Sequence, residues 1–390
     1  MMNELQVDGR SAPNWKTLPL GSFVTFQRGY DLPHRMRRAG GIPLVSSAGI
    51  TDFHNVAMVN GPGVVTGRYG TIGELFYVEE PFWPLNTTLY VRDFQGNLPK
   101  YAYYLLQRFD FHSFSGKSGV PGVNRNDLHS ETVKISNDLE EQSAIATALT
   151  DVDALIAGLE KLIAKKRDLK QAAMQQLLTG QTRLPGFSGE WVSRPLGSLG
   201  TIYGGLVGKS KTDFGHGSAS YVPFVNVMAN IRIDCGALEP VNVSSAENQN
   251  RVLFGDLLFN GSSETPEEVA LCALMTQTVE NLYLNSFCFG FRFKQGAEAS
   301  GLFLTYLMRS QMGRELMKSL AQGSTRYNLS KSALLQAILV LPSLEEQTAI
   351  ATALSDMDAN LVSLQGRFAK TRELKQGMMQ ELLTGKTRLN

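Results

Sequence analysis

Apolar residues recur in a regular four-three alternation in two separate segments of the chain. The spacing is followed by Ile145, Leu149, Val152, Ile156, Leu159 and Ile163, and again by Ile350, Leu354, Met357, Leu361, Leu364 and Phe368. So narrow a stripe is typical of a coiled-coil seam rather than of a helix lying on a broad core. The pattern therefore predicts two long helices whose seams pack against each other. Two helices docked separately on their own domains are the alternative.

The two helical segments are copies of one sequence. Residues 139–184 and 344–389 are identical at 29 of 46 positions without a gap, which marks an internal repeat. A capping box precedes each copy, and a glycine suited to a left-handed C-terminal residue follows it. These signals are Asp138–Glu141 with Gly180, and Ser343–Glu346 with Gly385. The limits leave about 41 residues for each helix, or roughly 60 Å.

A weaker repeat opens the region in front of each helix. Trp15–Ser22 matches Trp191–Ser198 at its Trp, Pro, Leu, Gly and Ser positions. Short strand-like runs bounded by Gly, Asn and Pro follow in both regions. The offset between copies is 176 residues at the tryptophans and 205 at the helices, so the second region is 205 − 176 = 29 residues longer.

These repeats predict an α+β protein that alternates globule, helix, globule and helix. The expected boundaries are 1–138, 139–184, 185–343 and 344–390. The end of the chain, Thr387–Asn390, matches the part of the repeat that would lead into its beginning. We therefore expect two unlike α/β globules separated by an antiparallel coiled coil, in a closed, circular, pseudo-twofold arrangement.

The composition excludes several classes of protein. With 390 residues, of which 43% are hydrophobic, the chain can bury sizeable cores. Its 37 Lys and Arg against 36 Asp and Glu exclude a polycation. Three cysteines without CxxC spacing provide neither a disulfide framework nor a structural zinc site. Because we find neither a membrane-spanning stretch nor a secretory signal, we expect a cytoplasmic protein.

No motif for catalysis or metal binding has the required spacing. Gly204–Ser210 lacks the first glycine of a phosphate-binding loop, which disfavours an ATPase. A DNA methyltransferase would need a Pro-Pro catalytic loop, and the sequence has none. Glu373–Lys375, the one Glu-x-Lys, lies on a predicted helix, and the five histidines are scattered. We therefore expect no catalytic residue, no metal and no bound cofactor.

Arginine, asparagine and lysine concentrate instead on glycine-rich loops of both globules. Guanidinium and carboxamide groups pair bidentately with guanine and adenine, whereas Lys and Ser suit phosphates. The candidate DNA-binding residues are Arg35, Arg37, Arg38, Arg68, Tyr69, Lys117, Asn124 and Arg125 in the first globule, and Lys209, Lys211, Asn226, Asn260, Ser262, Arg326, Tyr327 and Asn328 in the second. Arg125 and Arg326 are expected at matching points in front of the two helices.

The motifs at the ends of the repeats are distinctive. Each helical copy opens with Leu-Glu-Glu-Gln-x-Ala-Ile-Ala and closes with Leu-Leu-Thr-Gly-x-Thr-Arg-Leu, and each globule opens with Trp-x-x-x-Pro-Leu-Gly-Ser. These motifs resemble those of type I restriction–modification specificity subunits. The resemblance covers essentially the whole chain. Gly67–Gly73 of the first globule also matches, and the second globule has no clean copy of it.

The resemblance implies two target-recognition domains that read the halves of a split, asymmetric DNA site, with the helices as a spacer that sets the gap. It implies two adenine-N6 methyltransferase subunits and further restriction subunits as partners, which would carry S-adenosylmethionine, ATP and magnesium. The near-identical helix starts predict two equal docking surfaces for the methyltransferases. The residues expected at that interface are Gln142, Ile145, Gln347 and Ile350.

The balance of charge predicts weak DNA binding by either globule alone. Residues 1–138 contain 13 basic and 12 acidic residues, and residues 190–343 contain 12 of each. Because affinity for DNA depends on phosphate neutralisation, the partner subunits would supply much of the phosphate contact. A coiled-coil scaffold whose two heads bind proteins is the alternative function, and an enzyme with an unrecognised site is a third.

Overall fold

The computed structural model describes residues 14–114 and 122–389. The chain divides into two units, and the division falls within both long helices. The first unit contains residues 1–161 and 365–390, and the second contains residues 162–364. Each unit therefore holds one globular region, the beginning of one long helix and the end of the other.

The described part of the first globular region consists of nine strands and three short α-helices. The strands are β1 (Trp15–Pro19), β2 (Thr25–Arg28), β3 (Ile42–Ser46), β4 (Gly49–His54), β5 (Gly63–Gly67), β6 (Leu75–Val78), β7 (Trp83–Pro84), β8 (Thr88–Asp93) and β9 (Thr132–Ser136). The helices are α1 (Leu20–Phe23), α2 (Pro99–Leu106) and α3 (Arg125–Ser130), and the first long helix, α4 (Leu139–Leu177), follows them.

The second globular region is larger. Its strands are β10 (Val192–Pro195), β11 (Gly200–Gly204), β12 (Phe214–Val222), β13 (Glu239–Val241), β14 (Leu257–Asn260), β15 (Ser262–Ser263), β16 (Cys272–Leu274), β17 (Leu282–Leu284), β18 (Cys288–Phe293), β19 (Ala321–Gln322), β20 (Tyr327–Leu329) and β21 (Ile338–Leu341). Its helices are α5 (Leu196–Leu199), α6 (Phe224–Ala229), α7 (Gly301–Arg309), α8 (Gln311–Leu320) and α9 (Lys331–Gln336), and the second long helix is α10 (Leu344–Leu382).

The two globular regions share the topology of three sheets although their sequences differ, and among the described residues the second region has one further small sheet, of order β15-β20-β19. A four-stranded sheet has the order β2-β8-β5-β6 in the first region and β11-β18-β14-β16 in the second. A three-stranded sheet has the order β4-β3-β7 or β13-β12-β17, and its middle strand is antiparallel to one neighbour and parallel to the other. The opening strand pairs with the strand before the long helix in both regions, as β1-β9 and β10-β21. The globules are therefore unlike in sequence and alike in fold.

The core of the first unit includes both long helices. Phe26 and Phe111 lie edge to face inside the globule, with ring centroids 6.4 Å apart. Leu149 of α4 and Leu383, the residue directly after α10, are fully buried in the same cluster. Since burying one such side chain contributes about 1.5–3 kcal/mol, the helix ends are held on the globule by the hydrophobic effect.

The core of the second unit repeats this arrangement. Phe259 and Phe289 stack with ring centroids 5.2 Å apart. Leu178, the residue directly after α4, and Leu354 of α10 are fully buried in the cluster around them. Leu178 is the counterpart of Leu383, and Leu354 is the counterpart of Leu149, at the offset of 205 residues.

The predicted seams face inward. All twelve seam positions are buried or half-buried, whereas Leu155, Leu162 and Leu169, off the seam, are exposed. The first two positions of each seam join the globular cores, so the seam is continuous with them. The prediction of a coiled-coil seam is confirmed. The alternative, in which each helix docks on its own domain, was right in one respect, because each helix start also packs on its own globule.

Ion pairs between α4 and α10 fix their direction within each unit. In the first unit Lys375 Nζ lies 2.7 Å from Asp153 Oδ1, and in the second unit Lys170 pairs with Asp358. Each aspartate also accepts a hydrogen bond from a tyrosine of the globule. Tyr104 Oη donates to Asp153 at 2.9 Å, and Tyr306 Oη donates to Asp358 at 2.7 Å. Burial raises the pKa of both phenols, which keeps them protonated as donors.

The second glutamate of the Leu-Glu-Glu-Gln motif is buried at the start of α4. Glu141 accepts hydrogen bonds from Trp15 Nε1 at 3.0 Å and from Ser136 Oγ at 2.6 Å. Arg388, which follows α10, pairs with the same carboxylate, with Nη2 at 3.0 Å from Oε2. Because Asp153 pairs with Lys375 further along, α4 and α10 run antiparallel in this unit, as predicted.

The second unit contains the equivalent ion pair. Glu346, at the start of α10, accepts from Arg183 Nε and Nη2, both at 2.5 Å. The Glu346 side chain is 2% exposed and that of Arg183 is 26% exposed. We call the pairs Glu141–Arg388 and Glu346–Arg183 the end clamps, since each ties the start of one long helix to the segment after the other.

The capping prediction was right for the first residue of each box and wrong for the glutamate. Asp138 Oδ1 accepts from Glu140 N at 2.9 Å, and Ser343 Oγ accepts from Glu346 N at 3.3 Å. The glutamate carboxylates are directed into the end clamps, where an arginine is a stronger partner than a backbone N–H. The left-handed helix ends are confirmed, with φ of 72° at Gly180 and 71° at Gly385.

Neither long helix meets the requirements of a membrane span. Across the described residues, none of the helices combines the length and the apolar character needed to cross a bilayer.

We predict that removing the charge of one end clamp destabilises the protein. Glu346→Gln leaves the partly buried Arg183 without its anion, which should lower the free energy of unfolding by roughly 3 kcal/mol. Glu373→Gln, at an exposed position of α10, is the matched control and should change it by less than about 0.5 kcal/mol. Denaturant titration of both variants checks this, and equal midpoints would contradict it.

Candidate nucleic-acid interface

Loops of the first globular region meet beside the ends of β2 and β5. Arg68 N and Tyr69 N donate to Thr87 O at 2.8 and 3.2 Å, and Val123 N donates to Arg68 O at 3.0 Å. These bonds tie the loop after β5 to the loop before β8 and to the start of α3. We call residues 28–38, 46–51, 67–73, 85–87 and 122–126 the first loop surface.

A concave pocket of about 400 Å³ lies within this surface. Arg28, Arg68 and Arg125 line it together with Tyr69, and the guanidinium of Arg68 lies 4.5 Å from the centre of the Tyr69 ring. Gly122 is required here, because a Cβ atom would come within 2.2 Å of the Tyr69 ring. The pocket thus presents arginine N–H groups on a packed aromatic support.

The start of α3 positions two of the predicted residues. Asn124 is the N-cap, and its Oδ1 accepts from Asn126 N at 3.0 Å. Arg125, the first residue of the helix, is exposed. Inside, His129 Nε2 accepts from Phe26 N at 2.9 Å, and burial lowers the pKa of His129, so the neutral imidazole anchors the helix.

A second concave pocket of about 440 Å³ adjoins the first. Arg37 lines it, and its Nη1 donates to Asp52 at 2.9 Å, while its buried Nε has no partner within the described residues. A backbone hydrogen bond from Phe53 and the Arg37 guanidinium hold the pKa of Asp52 below its ordinary value. Hydroxyl and amide groups complete the wall, from Ser46, Ser47, Thr51, Asn86 and Thr87.

The first loop surface combines groups that suit a nucleic acid. Arg35 and Arg38 are exposed beside Arg37 and add positive charge at the rim. Six arginines (28, 35, 37, 38, 68 and 125) belong to the surface, and the one acidic residue within its described ranges is Asp31. Sequence reasoning missed Arg28 and the hydroxyl groups of the second pocket. The available signal for Arg28 was its place at the end of the strand-like run that forms β2. Lys117, also predicted to bind DNA, lies outside the described residues.

The second globular region builds a corresponding surface on the same backbone. Gly261 N donates to Phe287 O at 2.8 Å, and Leu329 N donates to Gly261 O at 3.1 Å. These two hydrogen bonds correspond to those that Arg68 N donates to Thr87 O and that Val123 N donates to Arg68 O in the first region. We call residues 205–211, 260–263, 285–287 and 323–332 the second loop surface.

This correspondence corrects one pairing predicted from the sequence. Arg125 begins α3, and the residue that begins the equivalent helix α9 is Lys331, not Arg326. Arg326 instead precedes β20, is exposed, and lies 5.5 Å above the ring of Phe287. Sequence reasoning missed Lys331 and Phe287 because the two surfaces share no motif.

Four predicted residues of the second region support the fold, and we no longer count them as candidate DNA contacts. Lys209 donates to Glu247 Oε1 and Asn242 O, both at 2.6 Å, its side chain is 6% exposed, and its bond lowers the pKa of Glu247 to about 2. The other three residues, which are all buried, are Asn226, Asn260 and Ser262. The side-chain amides of Asn226 and Asn260 donate to backbone carbonyls. Lys211 and Asn328 are exposed, whereas Tyr327 packs partly on the core.

The predicted partner-interface residues are also internal. Gln142 donates to Ser136 O at 2.9 Å and accepts from Leu98 N at 2.9 Å, and Gln347 accepts from Ser300 N at 2.9 Å. All four residues, Gln142, Ile145, Gln347 and Ile350, are fully buried. Their identity in the two repeats reflects equal docking of each helix on its own globule, so the interface prediction for them was wrong.

In the part of the chain that the structure describes, no group of three or more His, Cys, Asp or Glu residues is arranged to hold a metal ion. The arrangement that remains is a pair of polar loop surfaces on one shared framework.

Comparison with known proteins agrees with this arrangement. A family model for the type I restriction modification DNA specificity domain matches residues 13–166 and 189–374. The S subunit of a type I restriction-modification system from M. genitalium superposes with a TM-score of 0.61 and 15% identity, covering 98% of this chain and 99% of that one.

Two further solved structures have the same fold. The HsdS subunit from Thermoanaerobacter tengcongensis has a TM-score of 0.52 and 16% identity, covering 96% of this chain and 98% of its own. A third chain comes from a structure that describes complex assembly and conformational transition of the type I R-M system. It has a TM-score of 0.55 and 14% identity, and the match covers 97% of this chain and 100% of that one.

We predict that Arg125 contributes to DNA binding at one base pair. Arg125→Ala should cost about 1–3 kcal/mol and relax the sequence preference at one position, because a bidentate arginine contact is lost. Selection of bound duplexes from a random pool, followed by sequencing, measures both effects. Lys16→Ala removes one exposed charge from β1, outside the loop surface, and should leave the preference unchanged. An unchanged preference in Arg125→Ala would exclude this role.

Proposed function

The chain belongs to the type I restriction-modification DNA specificity family, and from this premise we propose that it selects the DNA site of such a system by reading two different half-sites. In this proposal each globular region reads one half through its loop surface, and the long helices set the unspecified gap. The chain itself carries out no catalysis.

One observation carries this proposal: the two units repeat their backbone framework and differ in the side chains displayed on it. The bonds from Gly261 N to Phe287 O and from Arg68 N to Thr87 O are both 2.8 Å. Around them the first surface displays arginines and an asparagine cap, whereas the second displays Lys331, Arg326 and an exposed phenylalanine. A shared frame with unlike reading groups is what a split, asymmetric target requires.

The distribution of charge supports a division of labour with partner subunits. Several basic residues of the second region are already paired with carboxylates, which reduces the net positive charge that this region offers to phosphates. The pairs are Lys209–Glu247, Arg292–Asp256 and Lys318–Glu267. Two more arginines, Arg309 and Arg314, donate to backbone carbonyls. Since phosphate contacts dominate affinity for DNA, the chain needs further contacts from other subunits.

We assign those contacts to two methyltransferase subunits, with restriction subunits joining them in the cytoplasm. S-adenosylmethionine, ATP and magnesium would then belong to the partners. Because the residues on the inner helix faces are buried, the equal docking surfaces must use the outer faces of the helix starts. Exposed Ser143 and Thr147 of α4 correspond there to Thr348 and Thr352 of α10.

Methylome sequencing of a host with and without this gene tests the proposal. We expect that deleting the gene abolishes N6-methyladenine at one bipartite, asymmetric motif, and that supplying the gene again restores it. Loss of no motif would contradict the proposal and would favour the scaffold that binds proteins. Loss of a single continuous motif would contradict the reading by two separate globular regions.

A further inference from the structure

A phenylalanine ring projects from the second loop surface without apolar cover. Phe287, in the loop between β17 and β18, is 57% exposed. The loop is held in a defined conformation, because Asn285 Oδ1 accepts from Phe287 N at 2.9 Å and Asn285 O accepts from Cys288 N at 3.0 Å. An exposed, conformationally fixed aromatic ring is a feature of binding surfaces rather than of cores.

The position of Phe287 belongs to the proposed reading surface. Its carbonyl oxygen accepts from Gly261 N at 2.8 Å, as Thr87 O accepts from Arg68 N at 2.8 Å in the first unit. Phe287 is therefore the counterpart of Thr87, which lines the second pocket of the first loop surface and accepts a hydrogen bond from Arg68 of the first pocket. A ring at this place stands beside the loop after β14 and the β19–β20 hairpin.

A guanidinium group accompanies the ring. Arg326 lies with its Cζ atom 5.5 Å from the centre of the Phe287 ring, and no carboxylate among the described residues forms an ion pair with it. In the first unit the guanidinium of Arg68 lies 4.5 Å from the Tyr69 ring. Each loop surface thus displays one arginine against one aromatic ring, and the two units build this pair from residues that do not correspond.

We propose that Phe287 and Arg326 together read a thymine and an adjacent guanine in the half-site of the second unit. This inference rests on the proposed function. A phenyl edge makes apolar contact with the C5-methyl group of thymine in the major groove, and an arginine pairs bidentately with guanine O6 and N7. The ring attracts the Arg326 guanidinium by a cation–π contact, and the outer N–H groups remain available to the base.

Removing the thymine methyl group and the phenyl ring, singly and together, tests the contact. The assembled methyltransferase complex is used, with duplexes that carry uracil instead of thymine at one position of the second half-site at a time. For the wild-type protein, one such substitution should weaken binding about fourfold, the value for burial of one methyl group. Phe287→Ala should weaken binding to thymine duplexes by at least that factor and should bind uracil and thymine duplexes equally.

Phe254→Ala is the matched control. Phe254 is 67% exposed in the same globular region, in the turn before β14, whereas Gly261 follows that strand. This variant should keep the wild-type sensitivity to the methyl group. The first half-site is an internal control for folding, since Phe287→Ala should leave its sequence preference intact.

The outcomes separate this inference from the proposed function. If the complex reads a bipartite motif and Phe287→Ala retains a fourfold preference for thymine over uracil, the contact is excluded while the function stands. The contact is also excluded if no position of the second half-site responds to uracil in the wild-type protein. If no bipartite motif depends on this gene, the proposed function itself fails.

Discussion

A buried carboxylate at the start of each long helix is the interaction on which the rest of the structure depends. Glu141 and Glu346 are each paired with an arginine that follows the other long helix in sequence. An ion pair with one side chain 2% exposed must be well satisfied, because an unpaired charge there would cost several kcal/mol. The clamp therefore fixes which helix ends meet, and it brings the apolar helix ends onto the globular cores.

Once the helix ends are fixed, the loops of the globular regions can differ without cost to the frame. Three sheets keep one topology, and the backbone bonds that join the loops of each loop surface recur in both units. The exposed arginines of one unit and the exposed phenylalanine and lysine of the other contribute little to either core, so both sets are compatible with the fold. Binding specificity then varies while stability is preserved, as is common for loops on a rigid scaffold.

The sequence predicted the parts of the fold that repeat or follow a period. The seam from Ile145 to Ile163, the left-handed glycines and the two globules were all read correctly, because periodicity reports directly on burial. It could not show which face of a repeated helix is internal. Gln142 and Gln347 are identical in both copies because each binds the backbone of its own globule, and identity alone does not distinguish that role from a docking surface.

The residues of the two loop surfaces were harder to predict for a related reason. Lys209 and Asn226 have the chemistry of DNA contacts, yet their partners, Glu247 and Asp234, are distant in sequence or hidden in a turn. Lys331 and Phe287 carry no motif, and only the backbone correspondence with Arg125 and Thr87 identifies their place. Local sequence indicates which groups are available, whereas tertiary pairing decides which of them remain free.

The central claim is that the helical frame sets the spacing while the loops read the sequence, and inserting one heptad into each of α4 and α10 tests it most directly. Both helices must be lengthened, because the end clamps tie the start of each to the end of the other. Seven residues keep the seam and add about 10.5 Å, against about 3.4 Å for each base pair of DNA. Methylome sequencing of this variant should show the same two half-sites with a gap longer by roughly one to three base pairs. An active variant with an unchanged gap, or with altered half-sites, would contradict the account.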